Sequence, residues 1–347
     1  MNLNNTKTFM EELKNDNFFD AYAVLVCKDN DKQALFSDNV NGDTYFDIAS
    51  MGKILITQTL ILKAIGEKKL SLDDTLGKFF ANVPEDRAGI TVKQILTHTS
   101  GIVRCDLPDE VTEQGNDAIA DYIIKYPLAY ETGTNRIYSC NAFILLGFII
   151  EKIYNMPLDE AFYKYTKNTM GLTRSRFNIA IDEENAAVCY GRREVCKCRV
   201  DDSNVYKMNG VAGSGAQFWT LNDMEKFTEA IMAKDEALYP KELYALAEQN
   251  ITGALELGGE VNGLGWLFVD ENYEQTGKLF PVGSLGHCGH TGTSFFLSRE
   301  KNMYVIILTN ATRFGWRRCD FKTDDYPAIM KMREDIHNKI LEDLENK

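Results

Sequence analysis

The chain has 347 residues, 44% of them hydrophobic and 26% charged, with a formal net charge of −13, an ordinary balance for a globular protein of one large or two modest domains. The acidic excess argues against a sequence-independent nucleic-acid binder, which needs a basic footprint, and against docking on an anionic membrane. No run of about 18 uncharged apolar residues occurs, and Met1-Asn2-Leu3-Asn4-Asn5-Thr6-Lys7 lacks the basic and apolar regions of a secretory signal, so a cytoplasmic protein is expected.

In chain order, residues 5–16 place Phe9, Met10 and Leu13 on one side of an amphipathic helix. Ala21 to Lys28 and Lys32 to Phe36 read as strands, parted by the turn chemistry of Asp29-Asn30-Asp31. A short strand through Thr44 and Tyr45 leads into Phe46-Asp47-Ile48-Ala49-Ser50-Met51-Gly52-Lys53. A helix is predicted from Ser50 to about Ile65, with Gly66 as its stop. After a turn and short segment from Lys69 to Leu76, Thr91 reads as the N-cap of an element that Gly101 ends. Residues 115–125 form a further helix. Glu131-Thr132-Gly133-Thr134 is a loop before Tyr138-Ser139-Cys140, a helix runs from about Asn141 to Tyr154, and Pro157 restarts one to about Met170. Residues 171–215, rich in Gly, Asn and Asp, are read as irregular. Thr220 or Asn222 caps a helix through Met232, and Pro240 starts another. Strands follow at Gly265 to Val269, Thr293 to Ser298 and Met303 to Thr309, with Glu300-Lys301-Asn302 as a tight turn. Asp324 or Asp325 caps a terminal helix reaching past Leu341.

Strands near both ends, with helices between, do not follow βαβα alternation. They predict an α/β protein of the α+β type. One antiparallel sheet is built from about residues 1–60 and 255–347 and flanked by helices, with a mostly helical insertion over about 61–254, all in a single unit. The eight cysteines read as thiols in a reducing compartment. Cys196-Lys197-Cys198 lacks the second ligand pair of a zinc site. Four histidines without H-E-x-x-H are too few for a metallohydrolase. No metal or cofactor is expected.

Ser50 and Lys53 form a Ser-x-x-Lys tetrad that on its own reads either as a nucleophile-and-base pair or as an N-cap serine followed by a solvent-facing lysine. Residues three apart on a helix share a face, with Cβ atoms about 5–6 Å apart, so a lysine amine reaches the serine hydroxyl. A serine in a first helical turn also sits at the positive end of the helix dipole, which favours a developing oxyanion.

Further stretches resemble one family in order along the chain: Ile95-Leu96-Thr97-His98-Thr99-Ser100-Gly101, Tyr138-Ser139-Cys140-Asn141, Gly210-Val211-Ala212-Gly213 running to Thr220-Leu221-Asn222-Asp223, Gly286-His287-Cys288-Gly289-His290-Thr291-Gly292-Thr293-Ser294, and the closing Tyr304-Val305-Ile306-Ile307-Leu308-Thr309-Asn310. With the Ser-x-x-Lys tetrad they resemble the serine β-lactamase-like and penicillin-binding-protein-like hydrolases, in the class C β-lactamase, D-peptidase and esterase branch. The resemblance implies a β-lactamase/transpeptidase-like fold and acyl transfer through a serine ester. Ser50 would be the nucleophile, Lys53 would accept or relay its proton, and Tyr138 would protonate the leaving group. Counting back from the closing strand sets His287-Cys288-Gly289, rather than His290-Thr291-Gly292, on the family's Lys/His-Thr-Gly. The backbone N–H of His290 would then join that of Ser50 in an oxyanion hole, with His287 lining the pocket. His98 would hold its loop.

Two residues depart from the pattern. Cys140 stands where the family usually has Asn, and Cys288 where it has Thr. The resemblance would place both near Ser50. A thiol is a poor donor and acceptor, which weakens a case for efficient β-lactam hydrolysis or for carboxylate-reading D-alanyl peptidase work and leaves ester or small-amide hydrolysis open. The expected partner is a small-molecule or short-peptide substrate, with no nucleic acid and no membrane. The rival expectations are a penicillin-binding-like protein that β-lactams acylate and leave slowly, and a non-catalytic binding or sensing protein that kept the fold.

Overall fold

The computed structural model describes residues 1–190, 195–196, 198–257, 260–312 and 326–346. Its strands are β1 (Tyr22–Lys28), β2 (Asp31–Phe36), β3 (Phe46–Asp47), β4 (Cys189–Tyr190), β5 (Val195–Cys196), β6 (Phe218–Trp219), β7 (Leu267–Phe268), β8 (Leu285–Cys288), β9 (Ser294–Ser298) and β10 (Met303–Thr309). Six of them form one antiparallel sheet in the order β2-β1-β10-β9-β8-β7. The two ends of the chain meet at its centre, where β1 pairs β10 from Tyr22 opposite Thr309 to Lys28 opposite Met303.

Both of these central strands are apolar nearly throughout, because both faces are covered. Side chains alternate between faces along a strand. Ala23, Leu25, Tyr304, Ile306 and Leu308 join the larger core beneath the helical region. Tyr22, Val24, Val26, Val305 and Ile307 join a second core under the two end helices, Asn4–Asn15 and Tyr326–Glu345. The end helices are stitched together at a helix terminus. The Asp343 carboxylate accepts from the backbone N–H groups of Asn5 (3.0 Å) and Thr6 (2.8 Å) and from the Thr6 hydroxyl (2.7 Å), supplying acceptors that the first turn of a helix lacks internally.

Several expectations need correction. The run after Ser50 is not one regular helix. A 3-10 turn over Ala49–Met51 is followed by a π-helical stretch, Lys53–Gln58, and only then by the α-helix Thr59–Gly66. The Thr59 hydroxyl donates to the Ile54 carbonyl at 2.9 Å, five residues back. Every residue from Lys53 to Gln58 is buried, so contacts from all sides outweigh the regular hydrogen-bond ladder. The strand expected through Thr44 and Tyr45 is β3. It pairs with β6 rather than joining the main sheet. The strand expected from Gly265 to Val269 shrinks to β7. β8, the strand carrying His287 and Cys288, was not foreseen. Residues 171–215 hold the short β4–β5 pair and the helix Ser203–Lys207.

Other features fall where the sequence put them. Thr91 accepts from the Gln94 N–H in a capping box, and Thr220, not Asn222, caps Leu221–Ala233; the helix expected from about Asn141 begins at Cys140, where Ser139, not singled out as a cap, accepts from the Ala142 N–H. Asp324, Asp325, Lys197 and Cys319 lie outside the described residues. Among the described residues, no helix is long and apolar enough to cross a membrane.

Candidate active site

Three segments converge on Ser50. Its own turn is braced from below by the loop Gly213–Gln217. The Ala216 N–H donates to the Ala49 carbonyl (2.8 Å), and the Ile48 N–H to the Gln217 carbonyl (2.9 Å). The approach is too close for side chains. A Cβ on Gly215, whose φ is +118°, would lie 2.3 Å from the Ala49 carbonyl oxygen. Ala49 itself holds φ +47°, a left-handed conformation that costs a non-glycine residue on the order of 1 kcal/mol. Asp47 fixes this turn from behind. Its carboxylate accepts from the N–H of Ala49 and from that of Asp201, both at 2.8 Å. Burial pushes its pKa up to about 6, against these two hydrogen bonds.

Ser50 is partly exposed, whereas Lys53 is fully buried directly beneath it. The Lys53 ammonium donates to Ser50 Oγ at 3.1 Å, to the Ser214 carbonyl at 2.5 Å and to Cys140 Sγ at 3.4 Å. Those three acceptors match its three N–H bonds. Burial lowers the Lys53 pKa, opposed by Cys140 and Asp202, which brings the neutral amine closer to reach at working pH.

Tyr138 arrives from the start of the Cys140–Tyr154 helix, with its ring centroid 4.9 Å from Lys53 Nζ. Burial holds the phenol protonated, well above its usual pKa, with the Ser50 hydroxyl working in the opposite direction. Two histidines flank the ring, His98 at 4.6 Å and His287 at 6.3 Å between centroids. His98 is a brace. Its Nδ1 accepts from the Ser139 N–H at 3.2 Å, and its carbonyl accepts from the Tyr130 hydroxyl and the Ile137 N–H. Burial drives its pKa well down. His287 donates from Nδ1 to the Cys288 carbonyl at 2.8 Å, leaving Nε2 as the acceptor. Burial and then the Lys53 charge push it down to about 3, so it is neutral.

β8 ends against the Ser50 turn. A Cβ on Gly289 would meet the Ile48 carbonyl oxygen at 2.5 Å and the Ala49 Cβ at 3.2 Å. Beyond it, the hydroxyls of Thr291 and Thr293 donate to the carbonyls of Asp47 (2.7 Å) and Ile48 (3.2 Å). The backbone at Gly289 and His290 is therefore held beside Ser50. The His290 side chain stacks on Tyr326, 5.9 Å between centroids, so His287 and not His290 faces Tyr138.

The sequence expectation put both thiols near Ser50. The structure brings in Cys140, against Lys53. Cys288 follows His287 on a strand and so takes the opposite face, where it meets the Tyr273 hydroxyl at 3.5 Å in the core under the end helices. Sequence reasoning did not single out Asp47, Ser214 or Gly215. Asp47 carried a signal, a carboxylate between the apolar Phe46 and Ile48 where buried charge is rare. No residue type marks a carbonyl such as that of Ser214.

A family model described as Beta-lactamase matches residues 9–322. A relative from Escherichia coli (strain K12), named "Putative D-alanyl-D-alanine carboxypeptidase", is 26% identical over 301 residues, covering 77% of this chain and 69% of its own length. A relative of the same name from Salmonella enteritidis PT4 is 26% identical over 304 residues with the same coverage. Among solved structures, a Beta-Lactamase/D-Alanine Carboxypeptidase from Pseudomonas syringae superposes with TM-score 0.76 at 18% identity, covering 97% of this chain and 98% of its own. The octameric penicillin-binding protein homologue from Pyrococcus abyssi superposes with TM-score 0.71 at 22% identity, covering 89% and 74%. At these identities, the two structures share the fold with this chain.

Proposed function

The chain belongs to the beta-lactamase family, and on that premise we propose that it is a serine hydrolase that cleaves a small ester, amide or D-amino-acid peptide through an acyl-enzyme on Ser50. The observation that carries this reading is the contact of Lys53 Nζ with Ser50 Oγ at 3.1 Å, the amine buried and the hydroxyl open. With Lys53 deprotonated, so that a lone pair replaces the N–H directed at Ser50 Oγ, Ser50 Oγ attacks the carbonyl carbon as its proton passes to the Lys53 amine. The oxyanion forms beside the N–H groups of Ser50 and His290. Tyr138, protonated at working pH, gives its proton to the leaving group and regains one from the Lys53 ammonium. The bond to the leaving group breaks and the Ser50 ester remains. A water, deprotonated by the same pair, then releases the acid. His287 lines the pocket as a neutral acceptor. The names of the D-alanyl-D-alanine carboxypeptidase relatives support a D-amino-acid peptide as one substrate class.

The test is turnover of a p-nitrophenyl ester, with fluorophosphonate and labelled-penicillin reactions, on wild type and Ser50→Ala. Turnover and fluorophosphonate labelling that vanish in the variant are expected. Labelling without turnover would favour the slow β-lactam-acylated reading. No reaction in either protein would favour a binding or sensing protein.

A further inference from the structure

Arg333 lies on the buried face of the terminal helix with Ile329, Met332, Ile336, Ile340 and, nearer its end, Asp343, and it is fully buried at 0% exposure. Its guanidinium donates to Gln275 Oε1 at 2.6 Å and to the carbonyl oxygen of Gly289. Gly289 is the residue packed on the Ser50 turn. Its carbonyl also accepts from the Gly292 N–H at 3.1 Å. Two turns earlier on the same helix, the ring of Tyr326 stacks on His290 and lies 5.8 Å from the guanidinium. The helix thus grips both residues that flank one peptide bond. The carbonyl of that peptide belongs to Gly289 and its N–H to His290.

We propose that Arg333 is a positioning residue for the oxyanion hole, fixing and polarising the peptide between Gly289 and His290 so that its N–H stabilises negative charge on the acyl oxygen at Ser50. A planar peptide cannot turn its N–H without turning its C=O. A cation on the carbonyl therefore fixes both ends, and it draws electron density away from the N–H, since hydrogen bonds in a chain polarise one another. A burial this complete needs such partners, because an unpaired buried charge is strongly destabilising. The proposal rests on the reading of Ser50 and the His290 N–H as the oxyanion hole.

The experiment forms acetyl-Ser50 from p-nitrophenyl acetate labelled with carbon-13 at the carbonyl. The ester carbonyl stretch is read by isotope-difference infrared spectroscopy alongside kcat and KM, in wild type, Arg333→Met, Arg333→Lys and Gln275→Leu. The wild-type band is expected below that of the same acyl-enzyme unfolded in acid. In Arg333→Met the band returns toward the unfolded position and kcat for acylation falls about tenfold, less than loss of a whole donor because the effect acts through the peptide. KM stays within about twofold. Arg333→Lys, which keeps the charge but not the fork, falls between, and Gln275→Leu moves the same way. Should Arg333→Met fail to fold, the other two variants decide. An unmoved band and kcat in folded variants overturn the proposal, as does a wild-type band at the unfolded position. Absence of any Ser50 adduct in wild type removes the acyl-enzyme reading as well.

Discussion

At the scale of single residues, the site is set by protonation states. Lys53 is pushed toward the neutral amine and Tyr138 toward the neutral phenol, a split that fits the proposed roles of Lys53 as base and Tyr138 as acid. Replacing Tyr138 with Phe removes the proton donor. Amide or peptide turnover is therefore expected to fall about a hundredfold or more. p-Nitrophenyl ester turnover falls much less, because nitrophenolate leaves without a proton. Equal losses on both substrates would contradict the role of Tyr138 as acid. His287, pushed down to about 3, is neutral across the working range. The acid limb of kcat/KM in His287→Gln should then coincide with that of wild type, and a limb near pH 6 that disappears in the variant would refute this. The convergence of Ser50, Lys53 and Tyr138 was legible because spacing and neighbouring motifs carry it. The side that Cys288 faces depends on strand pleat, which a motif string does not state. Arg333 was legible in principle, as a charge on an apolar helical stripe, but its carbonyl partner was not.

At the scale of elements, the Ser50 turn is held by backbone contacts that permit little change. Gly215→Ala would force a Cβ into the Ala49 carbonyl at a φ of +118°. It is expected to lower the unfolding free energy by about 2 kcal/mol or more and to depress acylation, read from urea melts and ester turnover. Asp47 gives the same turn a pH dependence. Its pKa rises from 3.8 to about 6 on folding, so the folded chain binds the proton more tightly. The resulting stabilisation is full below pH 3.8 and is lost as pH rises through about 6, a change of about 3 kcal/mol. The stability of wild type relative to Asp47→Asn should therefore decline between pH 4 and pH 6.5. A difference that stays flat or grows over that range would show that Asp47 titrates normally. Alternating and β-branched runs such as β1 and β10 were readable from the sequence. Leu285-Gly286-His287-Cys288 was not, since a glycine, a histidine and a cysteine have little strand signal of their own. Its strand state comes from pairing with Phe296, Phe295 and Ser294 across the sheet. The π-helical stretch after Ser50 was hidden for a related reason, because hydrophobic periodicity does not separate it from an α-helix.

For the whole molecule, the sheet closes through its two chain ends, and the same end helices support the site. The terminal helix reaches the first helix through Asp343 and the end of β8 through Arg333. Strands at both ends with helices between were enough to anticipate this architecture, since only an antiparallel sheet joins them without crossovers. The meeting of the two end helices was not visible, because it joins opposite ends of the chain, through a shared apolar core and the Asp343 carboxylate. Asp343→Ala should cost about 1–2 kcal/mol, the usual loss for a removed helix cap, measured by thermal or urea unfolding. A variant as stable as wild type would mean that the end helices are held by packing alone.

The most direct measurement of the central claim is intact-mass and peptide-mapping mass spectrometry after brief exposure to an activated ester or fluorophosphonate, on wild type, Ser50→Ala and Lys53→Ala. A single adduct mapped to Ser50 is predicted in wild type, with none in Ser50→Ala and formation slowed at least about a thousandfold in Lys53→Ala. An adduct on another residue, or undiminished labelling in Lys53→Ala, would contradict it.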